Sequence, residues 1–252
     1  SLLFYLSSRP ITGVESLRDW RLLLSTIVFA AWFIYYEINQ EKPFIRIGIL
    51  RDRSLSVGSL NALIRMVLLS GGFGFLMPQY LINVVELNAD QSGWFLMLNP
   101  AAMVLFVRLG GGLADRTGSR PIILTGFAII GVATFWLTQL PHPSPTWALI
   151  IPLILFGIGA GLMLAALHHA ALHDVSDEEM GSASGIYSMI RFLGSALGAA
   201  IGGILLQFYE VRFAGDPLST YQSVYLWFTS FAILGFFVAF FLPAKEQLER
   251  RV

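Results

Sequence analysis

Gly111-Gly112-Leu113-Ala114-Asp115-Arg116-Thr117-Gly118-Ser119-Arg120 is a short charged stretch between two long apolar runs, and it has the pattern G-x-x-x-D-R-x-G-x-R. From average residue usage, a match anywhere in the chain has a probability on the order of 10⁻³, so the spacing carries information. Gly111, with Gly110 and Gly112, lets a helix end approach a neighbouring backbone. Asp115 reads as lying in a turn ahead of a helix begun by Pro121, where a carboxylate faces the positive helix end. Arg116 and Arg120 mark the cytoplasmic side, because short loops rich in Arg and Lys stay inside. The plainer alternative is a polar turn that only ties two helices together.

The rest of the chain agrees with a membrane setting. Of 252 residues, 56% are hydrophobic and 13% charged, where a soluble domain carries roughly 25% charged; the mean hydropathy is +0.69. Formal net charge is zero, with 16 basic and 16 acidic residues, which argues against a nucleic-acid partner. There is no cysteine, so disulfides, thiolate metal sites and Cys nucleophiles are excluded. Ser1 to Leu6 is a short apolar scrap with no basic flank or cleavage site and resembles the end of a preceding helix more than a signal peptide.

Seven windows approach the roughly 20 mainly apolar residues that a bilayer requires: Trp20 to Tyr36, Val57 to Val85, Ser92 to Leu109, Pro121 to Leu140, Trp147 to Ala166, Ser184 to Phe208 and Ser223 to Leu242. All are expected to be α-helices, since lipid offers open backbone no partners. With the Asp115 stretch inside, the inner segments gather Lys42, Arg46, Arg51, Arg53, Arg116, Arg120, Lys245, Arg250 and Arg251, against Arg9, Arg18, Arg21 and Arg212 outside. Trp20, Trp94, Trp147, Tyr209 and Tyr221 are expected as outer interfacial anchors. The basic, Pro43-bearing segment Glu41 to Ser54 makes a boundary, so the chain divides into residues 1–54 and 55–252. The six spans after it separate at the Pro141-to-Pro145 loop into two sets of three, and an odd number per set inverts topology, as in secondary transporters built from inverted repeats.

The Asp115 stretch resembles the signature loop of the major facilitator superfamily. Pro43 with Arg51-Asp52-Arg53, the run Met77-Pro78-Gln79-Tyr80-Leu81, and Gly185-Ile186-Tyr187 leading to Arg191-Phe192-Leu193-Gly194 extend the likeness to the fourteen-span EmrB/QacA-like drug:proton antiporters. The likeness covers most of the chain from Trp20 onward, and Ser119 stands where that family usually has a basic residue. The resemblance implies an all-α, integral membrane, C-terminal six-helix bundle preceded by one extra transmembrane helix. It implies a proton-coupled efflux transporter of drugs or other small amphipathic compounds in a bacterial cytoplasmic membrane. Its partners would be an N-terminal bundle bearing the main proton-coupling carboxylates, lipid, substrate, protons and, in a Gram-negative cell, a periplasmic adaptor; no cofactor or metal is implied. Gly111, Asp115, Arg116, Gly118 and Arg120 would be the latch that breaks and re-forms during alternating access. By the same analogy the second and fifth spans line the cavity, the third and sixth form the bundle interface, and the fourth and seventh face lipid. Transport of a metabolite is the alternative.

Apart from Glu37 at a helix end, every Asp and Glu falls in an expected loop, while Arg65 and Arg191 lie inside spans. Both are expected to face a cavity or a partner, with snorkelling to the interface as the alternative. Gly194, Gly198 and Gly202, and likewise Gly157 and Gly161, form small-residue ladders suited to close helix contact. These serve static packing, or a surface on which the sixth span rocks against another bundle. Asn61, Gln79, Asn83 and Asn99 are candidates to touch substrate or to bond backbone near Pro78 and Pro100. Phe73, Phe75, Met77 and Met163 read as packing before they read as a drug pocket. His168 and His169 are weaker candidates for a proton relay. Two further classes remain: an intramembrane hydrolase, whose one conceivable pairing is Ser188 with His168 or His169, and a non-transporting scaffold.

Overall fold

A computed structural model describes residues 52–141, 146–213 and 216–243, together with Leu24, Val28, Phe29 and Trp32. Contacts divide the chain into two units, Ser1–Leu50 and Arg51–Val252. In the first unit the four described residues are helical and exposed. The remainder of the Trp20-to-Tyr36 span, the Glu41-to-Arg51 part of the linker, His142 to Pro145 and the Lys245 tail lie outside the described residues.

In the second unit the described residues hold helices and no strand. Helix α1 (Arg53–Val67) is opened by Asp52, whose carboxylate accepts from the Ser54 and Leu55 amides at 2.7 and 3.1 Å. It continues into a π-helical segment, Leu68–Phe75, and then α2 (Leu76–Asn83), so the expected uniform Val57-to-Val85 helix is a three-part rod. The glycine-rich run Leu68-Leu-Ser-Gly-Gly-Phe-Gly-Phe75 is a poor α-helix former. A wider turn also frees carbonyls, and Tyr225 Oη donates to Gly72 O at 3.2 Å.

Helix α3 (Ala89–Thr117) begins with a capping box between Asn88 and Gln91, followed by α4 (Ser119–Thr138), α5 (Thr146–Leu172), α6 (Met180–Arg212) and α7 (Pro217–Ala239). The ends depart from the hydropathy windows because a helix does not stop where the hydrocarbon does. The largest departure changes the reading of the charged stretch. Gly111 to Thr117 are helical, Gly118 alone breaks the chain with φ 88° and ψ 159°, and Pro121 is the third residue of α4, not its first. Asp115 therefore sits in the last turn of α3 instead of ahead of α4. Likewise Asp90 and Glu210 lie in terminal helical turns and not in loops.

In chain order the six spans fall into two sets of three, α1–α2, α3 and α4, then α5, α6 and α7, and the most extensive packing runs between these two sets. α3 runs along α5 and α6 along α1, so the middle helix of each set packs against the first helix of the other; α4 pairs with α7, and α1 meets α5. α4 also packs along α5, more extensively than α7 does on α1. Close approach carries the two long pairings. A Cβ on Gly198 would lie 2.5 Å from Val67 O, one on Gly194 2.5 Å from Leu63 O, and one on Gly161 2.6 Å from Met103 O; Gly157 meets Asn99 O in the same way. The Gly194–Gly198 ladder is thus occupied by α1 within this bundle, which replaces the expectation of a surface for rocking against another bundle.

Phe127, Ile130, Phe228 and Ala232 fill the α4–α7 core, with Thr229 Oγ1 donating to Thr134 Oγ1 at 3.1 Å. Met77 and Met163 are fully packed, the latter against Gly126, while Phe73 meets the Phe156 ring at 6.0 Å and a Cβ on Gly202 would lie 3.1 Å from the Phe75 ring. Polar ties close both ends. At the Asp115 end, Ser54 Oγ donates to Asp174 Oδ2 at 2.6 Å and Ser119 Oγ lies 3.1 Å from His169 Nδ1. At the other, Gln222 Nε2 donates to Leu140 O at 2.8 Å and Asn83 Nδ2 to Tyr221 Oη at 2.9 Å. Tyr221 is consequently buried, edge-on to Tyr80, and is no interfacial anchor; Trp94 and Trp147 are exposed. Only 17% of the α3 span and 22% of the α6 span are buried, against 39–56% for the other four, so these two helices carry the uncovered faces.

Candidate functional site

The charged turn is built from parts with separate tasks. Gly111 faces α5, where an added Cβ would meet Ala165 Cβ at 3.3 Å. Thr117 Oγ1 donates to Leu113 O at 2.9 Å, finishing α3, and Gly118 adopts a conformation open to glycine alone. Ser119 is 9% exposed and bonds His169, so its small hydroxyl fits a site that would bury a basic side chain. Arg120 lies over the Phe240 ring at 5.4 Å, joining the turn to the end of α7. Asp115 and Arg116 are exposed. The Asp115 carboxylate takes part in no hydrogen bond or ion pair among the described residues, so the expected bond to a helix end or a cationic neighbour is not made among them.

A second constellation lies deeper. Arg65 is the thirteenth residue of α1, about 18 Å along the helix by its rise, and is 2% exposed. Its Nε and Nη2 donate to the single carbonyl oxygen of Ala160 on α5, at 3.2 and 2.9 Å. Near it on α6 stand Tyr187 and Arg191, both within electrostatic range of Arg65. Tyr187 Oη lies 3.0 Å from His168 Nδ1, with the two rings edge-on. Arg191 has a buried Nε with no acceptor, and its guanidinium rests on Phe192 at 5.2 Å. A cation in hydrocarbon costs roughly 2.5–3.5 kcal/mol on insertion scales, so these two need an environment that repays the cost.

The remaining candidates do not join this cluster. Asn61 and Gln79 donate to the carbonyls of Val57 and Phe75 one turn back, at 2.9 and 3.1 Å, which makes them local backbone bonds. Asn83 is tied to Tyr221 at the outer end. Asn99 is buried at the α3–α5 contact with Nδ2 unsatisfied. The imidazoles of His168 and His169 pair with Tyr187 and Ser119, not with Ser188, which removes the geometry proposed for a hydrolase. Arg108 is a residue that sequence reasoning passed over. It lies in α3 nine residues before Thr117, exposed, and helical geometry turns it away from the Asn99–Met103–Gly110 line that meets α5. Its signal, a charge inside the apolar run Ser92 to Leu109, was readable.

The description of the Major Facilitator Superfamily matches residues 55–252. The chain belongs to that superfamily. Among its relatives are the riboflavin transporter RibZ of Clostridioides difficile (strain 630), 27% identical over 65% of this chain and 36% of that protein, and the multidrug resistance protein Stp of Mycobacterium tuberculosis, 28% identical over 82% and 38%. The colistin resistance protein EmrB of Acinetobacter baumannii is 24% identical over 67% and 33%. The chain spans about a third of the length of these curated relatives. As a member of the Major Facilitator Superfamily with six spans long and apolar enough to cross a bilayer, it is an integral multi-pass membrane protein of a transporter family.

Proposed function

We propose that this chain forms one six-helix bundle of a secondary transporter that exports drugs or other small amphipathic compounds against protons, working by alternating access with a second, N-terminal bundle in a bacterial cytoplasmic membrane. The observation that carries the proposal is the exposed Asp115 at the end of α3, with no hydrogen-bond or ion-pair partner among the described residues, on a bundle in which α3 and α6 have largely uncovered faces. A carboxylate at a turn that binds a second bundle in one state and releases it in the other has the placement seen here. Proton coupling rests on the second bundle as well, because no Asp or Glu lies in mid-span among the described residues. Arg116 and Arg120 put the Asp115 end inside.

The relatives named for multidrug resistance support drug export, and RibZ supports a second reading, transport of a metabolite. The test is reconstitution of the intact transporter in proteoliposomes with an imposed pH gradient, offering labelled amphipathic drugs and labelled riboflavin. Gradient-driven flux of drugs with riboflavin inert supports the first reading, and the reverse pattern the second. Absence of any gradient-driven flux, or full flux from the 252-residue chain alone, counts against the bundle proposal.

A further inference from the structure

Two guanidinium groups, Arg65 buried on α1 and Arg191 half-buried on α6, lie within electrostatic range of each other and meet no carboxylate among the described residues. Arg65 spends two donors on Ala160 O, and its Nη1 faces only the Met66 thioether at 3.7 Å. Arg191 keeps a buried Nε without an acceptor. Tyr187 lies within electrostatic range of both, its ring buried and its hydroxyl on His168. Neither arginine joins an ion pair among the described residues, whereas His173 lies 3.0 Å from Asp174 Oδ1 at the helix end. A guanidinium offers five donors in a planar fork that suits a planar oxyanion.

We propose that Arg65 and Arg191, with the Tyr187 hydroxyl beside them, bind the carboxylate or similar oxyanion of the transported compound. The proposal rests on the transporter reading and narrows its substrate class to amphipathic anions. Placement favours a mobile ligand. Arg65 joins α1 to α5, the first helices of the two sets, in the inner half of the span, and secondary transporters hold substrate between such repeats. His168, which lies 3.0 Å from the Tyr187 hydroxyl, is exposed. Phe192, exposed on α6 and in contact with the Arg191 guanidinium, supplies apolar surface for the rest of an amphipathic molecule.

The test measures binding without flux, so a failed transport assay and a failed site are told apart. The intact transporter in detergent is unfolded thermally with benzoate, benzamide or chloride at equal ionic strength. Expected is a saturable rise in melting temperature with benzoate that benzamide does not reproduce. Arg191→Gln is expected to weaken the apparent benzoate affinity by about tenfold or more, and Arg191→Lys, which keeps the charge and loses the fork, by less. If Arg191→Gln does not fold, Arg191→Lys and Tyr187→Phe carry the comparison. Indistinguishable benzoate and benzamide responses in the unmodified protein, as when a protein carboxylate already fills the site, overturn the proposal. So does an unchanged benzoate affinity in the variants.

Discussion

The guanidinium of Arg65 on α1 closes onto one backbone oxygen, that of Ala160 on α5, with Nε at 3.2 Å and Nη2 at 2.9 Å. Ala160 can offer its carbonyl sideways because Gly159 and Gly161 flank it and both pack directly on neighbouring backbones. The pair links two helices 95 positions apart at a depth where a charge is costly.

Arg65→Met, which keeps length and removes charge, is expected to leave the melting temperature unchanged or raise it while abolishing transport, since apolar replacement of a buried charge is often neutral or stabilising. Arg65→Lys keeps a buried charge without the two-pronged contact and should lose about 1–3 kcal/mol. Detergent unfolding and flux on the same preparations decide between a structural and a functional cation.

Asp115→Asn is expected to change stability by less than about 0.5 kcal/mol, because the side chain is exposed and bonds nothing among the described residues. Transport should fall by about ten- to a hundredfold, as a charge-assisted contact made in one access state is worth about 1.5–3 kcal/mol. Normal efflux from this variant would reduce the motif to a turn.

Gly118→Ala should show the opposite balance, with stability falling first. Its φ of 88° with ψ of 159° is a conformation that costs a residue with a Cβ about 1–3 kcal/mol. Melting temperatures of Gly118→Ala and Asp115→Asn measured side by side separate the two roles.

Two glycine-to-alanine changes should differ in sign. At Gly198 the new Cβ meets Val67 O at 2.5 Å and Val67 Cα at 2.8 Å, backbone atoms that cannot swing away, so a loss of about 1–3 kcal/mol is expected. At Gly112 nothing lies within 4 Å, and Gly112→Ala should stabilise α3 by up to about 1 kcal/mol. Unfolding midpoints of the two variants check this.

The chain has no cysteine, so single cysteines report topology on a clean background. Asp90→Cys, at the exposed start of α3, should be labelled by an impermeant thiol reagent on intact cells, and Thr117→Cys, at its other end, only after permeabilisation. Labelling of Thr117→Cys from outside would invert the orientation.

Hydropathy and charge determined much of this protein by themselves. Each of the six described spans follows from a local sum over about 20 residues, and Gly111 to Arg120 marks the turn and the family without reference to anything distant. Arg65 and Arg191 were recognisable as costly charges because cost depends only on depth, and Arg108 met the same criterion. Tertiary structure alone decided what each group touches. That α3 runs on through Asp115 to Gly118 depends on backbone torsion, which hydropathy does not sense. That Tyr221 turns inward depends on Asn83 and Tyr80, and that the Gly194–Gly198 ladder meets α1 depends on how the two sets interleave. The acceptor of Arg65 is the plainest case: a backbone carbonyl has no side-chain identity to read, and only the approach of α5 to α1 brings Ala160 O within hydrogen-bond reach.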